Sequence, residues 1–260
     1  MKTRFITAIA LTLGLTAAAQ AQDTWTWNKA VGAGKRIEIK GVNGDVVATP
    51  ATGNEVQVIA HKSGRRSDPD NVKIQVVEHE GGVTICAVYP TPRNSDQENE
   101  CRAGERGRMN TRNNDTEVDF EVRVPRGVEF AGRTVNGKVS ATSMTAFTLG
   151  TTVNGSVRIS TTGLAEASTV NGGINVRMGQ SNWANELEFT TVNGDIVLEL
   201  PDPLNTEVTA STVNGSMSTD WPLTISGKWG PRRMHGRIGS GGRDLAMTTV
   251  NGSIEIRKGN

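Results

Sequence analysis

With 28 lysines and arginines against 27 acidic residues in 260, and a formal net charge of +1, the chain carries no electrostatic footprint for nucleic acid or an anionic membrane surface. Hydrophobic residues make up 35% and aromatic residues only 4%, while glycine is abundant at 30. That is thin material for a compact globular core, but it suits many short strands joined by tight turns, and long helical patterns are absent.

The chain opens with MKTRFITAIALTLGLTAAAQAQ. Lys2 and Arg4 supply a basic start, Phe5 to Leu15 an apolar stretch, and Ala19-Gln20-Ala21 a small-x-small cleavage site. Residues 1–21 are therefore expected to be a secretory signal peptide, cut after Ala21. The apolar stretch is too short to span a bilayer well, and no second hydrophobic span follows. The expected mature chain is exported, periplasmic or secreted, and has no membrane span. Loss of Lys2 and Arg4 leaves it 26 basic residues against 27 acidic ones.

Residues 22–34 form a short N-terminal segment, and residues 35–125 a β-rich N-terminal part. RIEIKGVNGDVVATP, NEVQVIAHKS and NVKIQVVEHEGGVTICAVY alternate apolar and polar residues, with turn signals TGN, SDPDN and EGG between them. Cys86 and Cys101 bracket fourteen residues that carry no core-forming pattern. In an oxidising compartment they are expected to form a disulfide tying a polar loop, 86–115. Closing a loop near fifteen residues contributes about 3 kcal/mol in the chain-entropy account. The strand TEVDFEVRVP and a turn at Pro125-Arg126-Gly127 follow.

Residues 126–260 are dominated by a repeat. Thr-Val-Asn-Gly occurs at Thr134, Thr152, Thr169, Thr191, Thr212 and Thr249, and Gly41-Val42-Asn43-Gly44 is a variant. Four residues after the repeat valine comes Val46, Val139, Val157, Ile174, Ile196, Met217 or Ile254, always apolar, and period-two patterning flanks most copies on both sides. That reads as strand, corner, strand. A two-residue Asn-Gly hairpin would set each valine against a polar or glycine partner, so the expected geometry is instead a bend. It turns both apolar positions inward, with Asn and Gly tolerating left-handed conformations. From Val135 the copies are spaced by 18, 17, 22, 21 and 37 residues, close to one solenoid turn with insertions away from the corner. One turn buries about four apolar side chains, too few to offset the ordering of about eighteen backbones, so the copies make sense only as an array. The fold class is all-β, a single-stranded β-solenoid with a β-rich lead-in. Asn43, Asn136, Asn154, Asn171, Asn193, Asn214 and Asn251 are its structural corner residues.

The run IEIKGVNGDVVATP, then strands, then VDFEVRVPRGVEFAGRTVNGKVSA and the serial Thr-Val-Asn-Gly units resembles a family of exported bacterial proteins named putative adhesins, a domain of unknown function. The resemblance covers roughly residues 35–257. It implies a β-solenoid-like fold and an exported location, and no catalytic residues are assigned to that family.

Residue types that carry chemistry are sparse. His79 lies between Glu78 and Glu80, but strand alternation throws the glutamates to the opposite face, so no metal site is expected there. Asp96, Glu98 and Glu100 alternate without the glycine turn and closing glutamate of a calcium loop. No catalytic residue, metal or cofactor is assigned. Of the tryptophans, Trp25, Trp27, Trp183, Trp221 and Trp229, most are expected to cap the array and cover loop bases. Lys228, Trp229, Arg232, Arg233 and Arg237 make one insertion locally basic and form the candidate patch for an acidic envelope polymer. The expected function is a non-enzymatic cell-envelope interaction or structural module, with envelope polysaccharide or an envelope protein as partner. The alternative is a carbohydrate-active enzyme on a β-helix, which needs clustered carboxylates in a groove.

Overall fold

A computed structural model describes residues 23–226 and 232–259. The expected signal peptide, and Lys228 and Trp229 of the basic patch, lie outside these residues. Among the described residues there are strands, one 3-10 turn at Pro69–Asn71, and no α-helix.

The N-terminal strands are β1 (Asp23–Ala30), β2 (Arg36–Lys40), β3 (Val46–Pro50), β4 (Glu55–Ser63), β5 (Lys73–His79), β6 (Gly82–Val88) and β7 (Glu117–Val124). The repeats supply β8 (Glu129–Arg133), β9 (Val139–Met144), β10 (Thr148–Thr151), β11 (Val157–Thr161), β12 (Ala165–Ser168), β13 (Ile174–Met178), β14 (Leu187–Thr190) and β15 (Ile196–Leu200). The chain ends with β16 (Thr206–Asn214), β17 (Met217–Thr219), β18 (Thr224–Ser226), β19 (Arg232–Ile238), β20 (Arg243–Asn251) and β21 (Ile254–Lys258).

These strands build two sheets. One runs β1-β4-β7-β3-β9-β11-β13-β15-β21-β17, the other β18-β19-β16-β20-β14-β12-β10-β8-β2-β6-β5. Each Asn-Gly corner passes the chain from the second sheet to the first, so each coil gives one strand to each. Neighbouring coils are parallel and in register: Val139 lies beside Val157, then Ile174, Ile196 and Ile254. Alternation decides what faces inward. Phe130, Ala165, Ala167, Leu187, Phe189, Leu245 and Met247 from one sheet meet Val157, Ile159, Val176, Leu198 and Ile256 from the other in a continuous buried core.

The stacking order departs from chain order. The corners run Asn43, Asn136, Asn154, Asn171, Asn193, Asn251, Asn214. The last coil, β20–β21, is inserted between β14–β15 and β16–β17. The cause is local: β19 folds back antiparallel on β16, and β18 on β19, so β16 already has a partner on its outer edge. The long spacing of 37 residues before Val250 holds this hairpin as well as the return of the chain.

At the other end, β7 lies parallel to β3 and antiparallel to β4, and β1 closes that sheet against β4. Asp23–Ala30 is thus an edge strand within the segment read only as N-terminal. Trp25 and Trp27 stand opposite Ala60 and Val58 and pack on the core, while Trp183 and Trp221 are buried. Lys29 bridges to Glu78 on β5, 2.7 Å, joining the edges of the two sheets.

Candidate functional site: the corner ridge and its surroundings

In each repeat the corner threonine points inward. Thr152, Thr169, Thr191, Thr212 and Thr249 are buried, and each hydroxyl donates to the carbonyl oxygen of the corner glycine one coil away, at 2.8–2.9 Å. Thr134 makes the same bond to Gly44 at 3.0 Å. A buried hydroxyl is stable only with such a partner, and here every copy supplies it.

The threonine thereby occupies the position expected for the valine. Val135, Val153, Val170, Val192, Val213 and Val250 are 36–41% exposed, and they are the exposed large hydrophobic residues among those described. Only Val42, in the variant coil, is buried. The expectation that both apolar positions turn inward is corrected in this respect. The corner glycines also differ from expectation. Gly44 alone among them has a left-handed-type φ, 117°, and no corner asparagine has a positive φ. The other glycines are required by close approach, because a Cβ on Gly155 would lie 2.0 Å from the carbonyl oxygen of Gly137.

The asparagines form a ladder. Each side-chain amide donates to the next Oδ1: Asn136 to Asn43, Asn154 to Asn136, Asn171 to Asn154, Asn193 to Asn171, Asn251 to Asn193 and Asn214 to Asn251, at 2.7–2.8 Å. At the first end Asn43 donates to the Thr116 carbonyl, which also accepts from the Tyr89 hydroxyl. Burial pushes the Tyr89 hydroxyl up to about 12. The ridge therefore presents parallel files: valines, amides beside them, and Thr151, Ser168, Thr190, Thr248 and Ser211 on the sheet side.

Cys86 and Cys101 are joined, with Cα atoms 5.8 Å apart. The loop they tie is anchored on the sheet by Lys40, whose ammonium donates to the carbonyls of Arg102 (2.6 Å), Gly104 and Arg106 (2.8 Å). Buried Glu38 accepts from Thr84 Oγ1, the Gly104 amide and Arg133 Nε. Burial holds the Lys40 ammonium below its ordinary pKa, against the pull of Glu38. A cavity of about 320 Å³ beneath the loop is lined by Lys40, Arg106, Arg108 and Arg133 among others.

Arg232, Arg233 and Arg237 lie on β19, and Arg237 is ion-paired with Glu207 at 2.8 Å. His79 meets Thr84 Oγ1, His61 lies 3.8 Å from Glu121, and His235 is exposed on β19. Among the described residues no group of three or more His, Cys, Asp or Glu is placed to hold a metal. Glu100 is paired with Arg102. Glu166 and Glu188 sit on adjacent strands of an open sheet face, away from the cavity beneath the disulfide loop. Burial, then Glu188, raises the Glu166 carboxyl.

Parallel coils in register and laddered corners define a repeat-built β scaffold. The chain belongs to the Toastrack DUF4097 family, whose profile matches residues 127–257. It is similar to a solved structure described as a putative cell adhesion protein from Clostridium sporogenes, at 11% identity and a TM-score of 0.46, covering 91% of this chain and 100% of that one. It is also similar to putative adhesins from Bacteroides fragilis (15% identity, TM-score 0.36) and Parabacteroides distasonis (12%, 0.32), each covering 91% of this chain and 98% of the other. No curated protein matches the chain. No helix among the described residues is long and apolar enough to cross a membrane.

Proposed function

We propose that this protein is a non-enzymatic, exported module of the cell envelope, a β-solenoid that binds a linear envelope polysaccharide along its corner ridge. The observation that carries the reading is the file of exposed valines, flanked on one side by hydroxyls and on the other by amides. Exposed apolar side chains gathered in one line mark a contact surface more often than scattered ones do. A polysaccharide strand has apolar C–H faces and hydroxyl rims, which suit a valine file bordered by hydrogen-bonding groups. Neighbouring coils repeat about every 4.8 Å, so the surface is regular along its whole length. In this reading residues 1–21 are the signal peptide, the lead-in to residue 125 closes one end, and residues 126–260 carry the binding face. The basic side chains Arg232, Arg233 and Arg237, with Lys228 and Trp229, would add attraction for an acidic polymer.

Co-sedimentation with isolated peptidoglycan and outer-surface polysaccharide tests this, at low and high salt. Val153→Ser with Val170→Ser, which removes the apolar file without adding charge, is expected to weaken pelleting strongly and leave the melting midpoint nearly unchanged. Replacing Arg232, Arg233 and Arg237 with glutamine is expected to remove only the salt-sensitive fraction. If the wild-type protein pellets with neither polymer, the polysaccharide reading is wrong and a protein partner takes its place.

A further inference from the structure

The last coil of the chain occupies an interior slot, not an end. On one wall, Asn251 donates to Asn193, Thr249 to the Gly194 carbonyl, and the Gly194 amide to the Asn251 carbonyl. On the other, Asn214 donates to Asn251 and Thr212 to the Gly252 carbonyl. The coil also brings Leu245, Met247, Ile254 and Ile256 into the core, all essentially without exposure. The stack between β14–β15 and β16–β17 is therefore complete only when the final residues of the chain fill it. Stacking in chain order is blocked, because β19 already covers the outer edge of β16.

The tether to this coil is Gly239-Ser240-Gly241-Gly242. All three glycines lie at positive φ, 58°, 73° and 124°. Gly239 packs against Asn205 and Gly241 against Glu207 and Arg237, the Ser240 amide donates to Asn205 Oδ1 at 2.8 Å and the Gly241 amide to the Ile238 carbonyl at 3.1 Å, so the tether is a short, tight turn. Short, tightly turned hinges are the ones that open into a connection between copies, which here would carry the coil away from its own slot. Slot and coil match through the same threonine, asparagine and glycine bonds whichever copy supplies the coil. From these features we infer that the slot takes up the last coil of a second copy of this chain, giving a reciprocal, coil-exchanged dimer. Exchange of an identical element keeps every contact of the closed chain, so its energetic difference from the monomer is confined to the hinge and to association. Concentration therefore selects between the two forms.

The test uses the purified, oxidised protein, unfolded and refolded at low and at high concentration with the native disulfide intact. Light scattering after size exclusion should give the mass of one chain from the dilute refolding and twice that mass from the concentrated one. Deleting Gly241 and Gly242 should move the balance further toward the dimer. Position of the coil is read by cross-linking. Glu199 and Arg257 are register partners on the outer face of β15 and β21, whereas Arg158 lies on β11, further along the stack. Glu199→Cys and Arg257→Cys chains, refolded together, should be joined between copies by a reagent spanning one coil. Arg158→Cys and Arg257→Cys chains should not be joined. The inference is overturned if wild-type and hinge-shortened chains both remain monomeric at the high concentration. It is equally overturned if a dimer forms without the 199–257 link, since association then uses another surface.

Discussion

Every coil turns twice, and the two turns obey different rules. At the asparagine corner, β8–β9, β10–β11, β12–β13 and β14–β15 are all joined by five residues. At the opposite bend the joins are 145–147, 162–164, 179–186 and 201–205, and the longest brings in Trp183, whose indole N–H donates to the Asp244 carbonyl. The spacing of backbones explains the contrast. A Cβ would lie 2.0 Å from the carbonyl one coil away at Gly137, Gly155, Gly172 and Gly194, but 2.6 Å from backbone at Gly163 and 2.9 Å at Gly179 on the far side. Contact that close leaves room for one residue type and one length. A looser bend absorbs insertions, provided something covers the exposed end of the core.

The contrast breaks most severely at glycine. Gly155→Ala is expected to cost ~3 kcal/mol or more, because backbone, not a flexible side chain, must move. Gly53→Ala, in the bend after β3 with nothing within 4 Å, should stay within about 0.5 kcal/mol in the same denaturant titration. Next comes Thr169→Val, which removes the buried hydroxyl and leaves the Gly155 carbonyl without it, at about 1–2 kcal/mol. The exposed neighbour change Val170→Thr should be near neutral to stability. Asn171→Ala, mid-ladder, should cost about 1 kcal/mol, and Asn214→Ala at the open end less, since only one ladder bond is lost there.

The smallest effect lies off the corner, on the sheet face, and depends on pH. The folded Glu166 carboxyl binds its proton more tightly than the unfolded one, whose ordinary value is 4.5. Folded protein thus holds a proton that unfolded chain has released, and stability falls as pH rises past 4.5 until the folded group also ionises. Glu166→Gln should therefore melt higher than wild type at pH 7, with the difference narrowing toward pH 4. The opposite trend would show that Glu166 is not strained by its burial and by Glu188.

Period-two patterning on both sides of Asn-Gly marked the strands well, since hydropathy alone determines which residues of a half-buried strand face inward. It misjudged the corner for a specific reason. Thr152 and Val153 differ in which is buried because a neighbouring coil offers the threonine hydroxyl an acceptor, and that partner lies outside the local sequence. The insertion of β20–β21 has a similar origin: nothing in the repeat itself reveals that β19 has taken the edge of β16. In DTWTWNKA, by contrast, alternating Thr and Trp carries the strand signal of β1, inside the stretch 22–34 that is expected from sequence only as a short N-terminal segment. The ridge is a surface only because the valines face out, and local sequence does not determine that orientation.

Thiol accessibility measures the orientation of the corner most directly. Val170→Cys and Thr169→Cys are compared for their rate of reaction with a soluble maleimide in the folded, oxidised protein, where Cys86 and Cys101 are protected by their disulfide. The account predicts that the cysteine at 170 reacts nearly as fast as in denaturant, and that the one at 169 reacts only when the protein unfolds. Protection at 170 with reaction at 169 would place the valine file inside and contradict both the corner described and the binding face built upon it.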